Sequence, residues 1–128
     1  MKAHFYYLII IFIISLQVSA FEVPKNVKAL EDKISALNLE LSCENADDCL
    51  TLPLGYKACG GPDKYIVTSK KNSKLTELKK AIEEYLTADR MWQQKQNIGS
   101  GCNVVQAPPT TCQSKKCQQV APLKKFGH

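Results

Sequence analysis

Six cysteines, at positions 43, 49, 59, 102, 112 and 117, constrain this chain more than any other feature. The intervals between them are five, nine, forty-two, nine and four residues, and none forms a Cys-x-x-Cys pair. A closed zinc site built from cysteine needs four ligands, usually in close pairs, so this spacing does not predict a metal. An even set of cysteines in a small exported chain predicts three disulfides and no free thiol.

The first twenty residues supply the export context. Lys2 gives a positive start, residues 8–16 form an apolar run broken only by Ser15, and Val18-Ser19-Ala20 offers a small-residue cleavage site. That is the layout of a secretory signal. The run is about half of the roughly 20 residues that a membrane-spanning helix needs. Cleavage after Ala20 predicts a secreted or periplasmic protein starting at Phe21, with no later membrane span. The remaining 108 residues are the size of one domain. They carry 16 basic and 12 acidic side chains, mixed along the chain. Such a mild positive balance concerns solubility, and it lacks the dense basic stripe that would point to nucleic acid.

Beyond the signal at 1–20, the chain divides into a helical segment at 21–41, a disulfide-bonded unit at 42–122 and a tail at 123–128. Val27, Leu30, Ile34, Leu37 and Leu41 recur at helical spacing and predict a helix over 25–39 after Pro24. Leu50, Leu52, Leu54 and Tyr56 alternate with polar or turn residues, which predicts a strand with one buried face. Pro53 places that strand at a sheet edge. Gly60-Gly61-Pro62-Asp63 is a turn, and residues 65–68 a second strand of the same hairpin. A long helix follows over 73–97, with Leu75, Leu78, Ile82, Tyr85, Leu86 and Trp92 on one face, a cap at Asn72 or Ser73, and an end at Asn97-Ile98-Gly99. Two short strands, at 102–106 and 117–120, are joined through a turn at Ser114-Lys115. The order α-β-β-α-β-β defines an α+β fold, a small antiparallel sheet packed on one long helix.

Facing residues of an antiparallel ladder keep a constant sum of residue numbers. Cys59 with Cys102 and Cys49 with Cys112 share one such sum, which leaves Cys43 for Cys117. The rival scheme is local, with Cys43–Cys49 and Cys112–Cys117 as clips and Cys59–Cys102 between them. Both schemes contain Cys59–Cys102.

The run Cys43-x5-Cys49, then Cys59-Gly60-Gly61-Pro62-x2-Tyr65, a long helix, and Cys102 with Cys112-x4-Cys117 resembles a group of small exported bacterial proteins. The resemblance spans residues 42 to 120 and is most distinctive at Cys-Gly-Gly-Pro-x-x-Tyr. It implies export and a disulfide-stapled fold, and it transfers no functional residues.

Catalytic chemistry is not expected. Beyond the signal the only histidine is the terminal His128, so no positioned imidazole is at hand. Glu83 and Glu84 point about 100° apart on a helix. Asp47 and Asp48 lie in a short loop and read as turn residues. No cofactor motif is present. Two loops remain as candidate binding features: Gly60, Gly61, Pro62 and Tyr65 around the first hairpin, and Lys115 with Lys116 between Cys112 and Cys117. A rigid loop binds at low entropic cost, and a lysine on one suits a protease pocket with an acidic base. The sequence therefore predicts a non-catalytic binding protein, an inhibitor or accessory factor with a protein partner. The rival readings are an interaction module docking through helix 73–97, and a small enzyme.

Overall fold

The computed structural model describes residues 23–99 and 101–120. The signal segment 1–20 and the tail 123–128 lie outside the described residues. Helix α1 (Lys25–Leu37) is followed by a 3-10 turn (Ala46–Asp48) and strands β1 (Cys49–Leu54) and β2 (Lys64–Ser69). Helix α2 (Leu75–Lys95) and strands β3 (Thr110–Gln113) and β4 (Lys116–Gln119) complete the α-β-β-α-β-β order. The fold is α+β.

The two helices and the first hairpin share one core. Leu78, Ala81, Ile82 and Tyr85 of α2 pack with Val27 and Ile34 of α1 and Leu54 of β1. The helical residues among these stand at helical spacing, and burying that apolar stripe, more than helix propensity, holds the two helices in place. A Lys33–Glu84 pair at 3.1 Å lies on the exposed side of the helix contact. Asn38 ends α1 and donates from Nδ2 to the Val67 carbonyl at 2.9 Å, tying the helix end to β2. Asn72 folds the approach to α2: its Oδ1 accepts from the Lys74 N–H and its Nδ2 donates to the Leu37 carbonyl, both at 2.9 Å. At the far end Asn97 adopts φ 51° and Ile98 N–H reaches back to the Gln93 carbonyl at 3.0 Å. That left-handed stop satisfies carbonyls the helix would otherwise leave open.

The strands form two separate two-stranded sheets, where the sequence suggested one. In the first, β1 runs antiparallel to β2 with Leu52 opposite Ile66 and Pro53 opposite Tyr65. In the second, β3 and β4 meet through Ser114 and Lys115, both at positive φ (52° and 58°). Two consecutive left-handed residues give the turn whose twist matches a tight hairpin. Segment 41–43 adds along β4: Cys43 N–H donates to the Lys115 carbonyl at 3.1 Å and Cys117 N–H to the Leu41 carbonyl at 2.8 Å.

Two expectations are corrected. Residues 102–106 are not a strand; the third strand starts at Thr110, after Pro108 and Pro109. Cys102 is instead bonded to Cys59, and Val104 is 87% exposed with no strand beside it. The bridges are Cys43–Cys112, Cys49–Cys117 and Cys59–Cys102. Thus neither Cys49–Cys112 with Cys43–Cys117 nor the two local clips occur. A shared ladder sum requires 49–59 to pair with 102–112, whereas β1 takes its neighbour from its own hairpin. Cys112 and Cys117 face each other across β3 and β4. They bond outward to the 43–49 segment, with Cα separations of 5.9 and 5.4 Å. The bridges span 69, 68 and 43 residues. Links of that length exclude many unfolded conformations, each contributing ~2–4 kcal/mol. Three disulfides fit an oxidising compartment. Among the described residues no helix is long and apolar enough to cross a membrane.

Candidate functional site

The hairpin loop 55–63 turns at Gly55, whose φ is +83°. A Cβ there would stand 2.9 Å from Asp63 Cβ, so conformation and space both demand glycine. The next residue, Tyr56, is held by α2 at both of its peptide groups. Its N–H donates to Asp89 Oδ2 at 2.9 Å, and its carbonyl accepts from Gln93 Nε2 at 3.0 Å. Gln93 Nε2 also donates to Asp89 Oδ1 at 3.0 Å. Asp89 is 5% exposed, and these bonds satisfy a carboxylate that would be costly to bury alone. One residue further along α2, the Arg90 guanidinium lies 5.1 Å from the centre of the Tyr56 ring. The face of the ring attracts the cation and fixes its direction.

Further along the loop, Cys59 is tied to Cys102, and Lys57 Nζ donates to the Asn103 carbonyl at 2.8 Å. Gly60 and Gly61 have φ of 96° and 79°, yet no atom lies within 4 Å of where a Cβ would sit. Their glycines serve the backbone path, and the space above them is open. A cleft of about 410 Å³ lies between this loop and α2. Pro53, Tyr56, Pro62, Ile82 and Leu86 make it largely apolar, with Gly60 and Gly61 on its wall. Arg90 and Glu83 are its charged groups. They lie seven residues apart on α2, about 10 Å at ~1.5 Å per residue. Among the described residues no carboxylate forms an ion pair with Arg90.

The structure thus brings Gly60, Gly61 and Pro62 to one cleft. Tyr65 lies in β2 opposite Pro53 and does not line it. Lys115 and Lys116 belong to the other hairpin, stapled by the other two bridges. Both lysines are exposed. Lys115 sits in the tight turn at φ 58°, not in the extended backbone that a protease cleft pairs with a bound segment. Sequence singles out none of Asp89, Arg90 and Gln93, and it reads Tyr56 only as the far end of the first strand, which the structure ends at Leu54. One signal was available, since Arg90 is the only arginine in the chain, beside sixteen lysines.

Other recesses are more open to solvent. One of about 760 Å³ lies between Pro24 and the outer face of α2, with Lys80, Glu84 and Lys95 on its walls. A polar recess of about 580 Å³ contains Glu31, Asp63, Lys64 and Asp89. Its Glu31 already pairs with Lys64 at 3.5 Å and accepts from Tyr85 Oη at 3.4 Å. Burial pushes the Tyr85 phenol upward, with Glu31 adding to the shift, so that proton is held tightly. Asp48 is likewise structural. Its Oδ2 accepts from the Glu44 N–H at 2.7 Å and pairs with Lys71 at 3.2 Å, and the backbone bond, then Lys71, lowers its pKa. Glu40 is lowered by hydrogen bonds from the Ser73 N–H and hydroxyl.

The chain matches no family model, no curated protein and no solved structure. The resemblance of its cysteine pattern to small exported bacterial proteins gains nothing from these comparisons.

Proposed function

We propose that this is a secreted or periplasmic, non-catalytic binding protein whose binding face is the cleft between loop 55–63 and α2. Its partner is a protein segment that lays apolar side chains on Leu86 and Pro62 and sets a carboxylate against Arg90. The observation that carries this reading is the arrangement of Asp89, Tyr56 and Arg90. A buried carboxylate fixes the backbone of Tyr56, and the ring of Tyr56 orients a guanidinium that has no acidic partner of its own among the described residues. A pre-organised arginine beside an apolar wall is suited to forked recognition of a carboxylate. The glycine turn, anchored by Cys59–Cys102, keeps the wall rigid and lowers the ordering cost of binding.

The oxidised protein, used to capture partners from its native compartment, tests this reading. The same partner should be retained by the unaltered protein and by Lys115→Ala, and lost from Arg90→Glu and from Leu86→Arg. Equal retention by all four would remove the cleft from the account. The exposed Met91 on α2, 66% accessible, favours a second reading in which the helix docks a partner through its outer face. Selective loss with Met91→Asp would support it instead.

A further inference from the structure

The four cysteines outside the Cys59–Cys102 bridge come from three parts of the fold: Cys43 beside β4, Cys49 at the start of β1, and Cys112 and Cys117 facing each other in β3 and β4. Their two disulfides lie side by side. The sulfurs of Cys43, Cys49 and Cys117, three residues drawn from both bridges, all lie within 4.8 Å of one another and are buried. The fourth sulfur, of Cys112, is bonded to that of Cys43 at 2.02 Å. A tetrahedral zinc with Zn–S bonds of ~2.3 Å sets its sulfurs about 3.8 Å apart. Cys43 lies within 4.8 Å of the sulfurs of the neighbouring bridge, and the two bonded pairs, at 2.02 Å, have to open to reach that spacing.

We infer that, once these two bridges are reduced, Cys43, Cys49, Cys112 and Cys117 form a four-thiolate site for Zn²⁺ or a similar thiophilic divalent cation. This site is independent of the binding cleft. Reduction separates the bonded sulfurs, and side-chain rotation is enough to spread them to tetrahedral spacing, because the backbone around them is held by other contacts. The Cys112–Cys117 pair stays in register through the β3–β4 hairpin, and Cys43 stays beside β4 through its bond to the Lys115 carbonyl. Val67 and Leu41 pack over the sulfurs and supply the apolar surroundings of a closed site. The chemistry balances simply. A phosphine reduces each bridge to two thiols, gaining the oxygen of one water whose two protons go to the sulfurs. The cation then displaces the four thiol protons into solvent as four metal–sulfur bonds form. Affinity therefore rises with pH through the thiol range. The chain spacing conceals this site, because only the fold brings the cysteines together.

A titration of the phosphine-reduced protein with Co²⁺, then Zn²⁺, tests the inference. One equivalent of Co²⁺ should bring the visible bands of a tetrahedral ion and an intense sulfur-to-cobalt charge-transfer band, and Zn²⁺ should abolish both. Changing any one of the four to serine should weaken binding by at least about tenfold, as losing a direct ligand costs no less than losing its support. The Cys59→Ser, Cys102→Ser double variant should bind as the unaltered protein does. The ¹¹³Cd resonance of the unaltered reduced protein counts the sulfurs without any variant, and should report four. Failure to bind one equivalent, a resonance reporting three sulfurs or fewer, or loss of binding in the Cys59, Cys102 variant would each overturn it.

Discussion

The carboxylate of Asp89 and the backbone N–H of Tyr56 are joined by a 2.9 Å hydrogen bond across 33 residues of sequence. This bond fixes the first hairpin loop onto α2 and sets the ring that carries Arg90. Replacing Asp89 with Ala removes the acceptor from a part-buried donor, which costs about 1–3 kcal/mol. Denaturant melts should show that loss, and Asp89→Asn, which keeps an acceptor oxygen, should lose less.

Core packing predicts a contrast on α2. Ile82 is buried against the first hairpin, and Lys79 is exposed. Ile82→Ala should destabilise by about 2–5 kcal/mol. Lys79→Ala should stay within about 0.5 kcal/mol, as for other surface changes. Equal midpoint shifts in urea would contradict the docking of this face.

The loop glycines should differ in cost. Alanine at Gly60 or Gly61 meets no neighbour, so it bears only the left-handed penalty of about 1–2 kcal/mol. Alanine at Gly55 bears that penalty and also collides with Asp63 Cβ. Thermal melts should therefore rank Gly55→Ala as the most damaging of the three.

Acid should weaken the fold through Asp48 and Glu40. Both carboxyls have folded pKa values below their ordinary 3.8 and 4.5. Their contribution is present above those ordinary values and is lost as pH falls through the lowered ones. Unfolding free energy measured between pH 6 and pH 2 should fall in that acid range. Asp48→Asn and Glu40→Gln should each flatten the fall, and unchanged slopes would contradict the assignment.

Local pattern made much of the fold legible. Val27 and Ile34, Leu78 and Ile82, and Leu50 to Leu54 announce their elements because a helix or strand face repeats at its own period. Ser114-Lys115 marks its hairpin, although the strand before it starts at Thr110 rather than Cys102. The bridges of Cys43 and Cys49 were not legible, since pairing depends on which strands become neighbours, and that is a long-range outcome. The site was half legible. Gly60-Gly61-Pro62 stands out as turn chemistry, whereas Asp89 and Arg90 read as two ordinary charges on a helix. Burial of the first and stacking of the second distinguish them.

Hydrogen exchange of the protein with its captured partner bound tests the central claim most directly. The account predicts new protection at the amides of residues 54–61 and of α2 between Ile82 and Arg90, with little change elsewhere. Protection centred on 113–117, or on α2 beyond Met91 with the loop untouched, would contradict it.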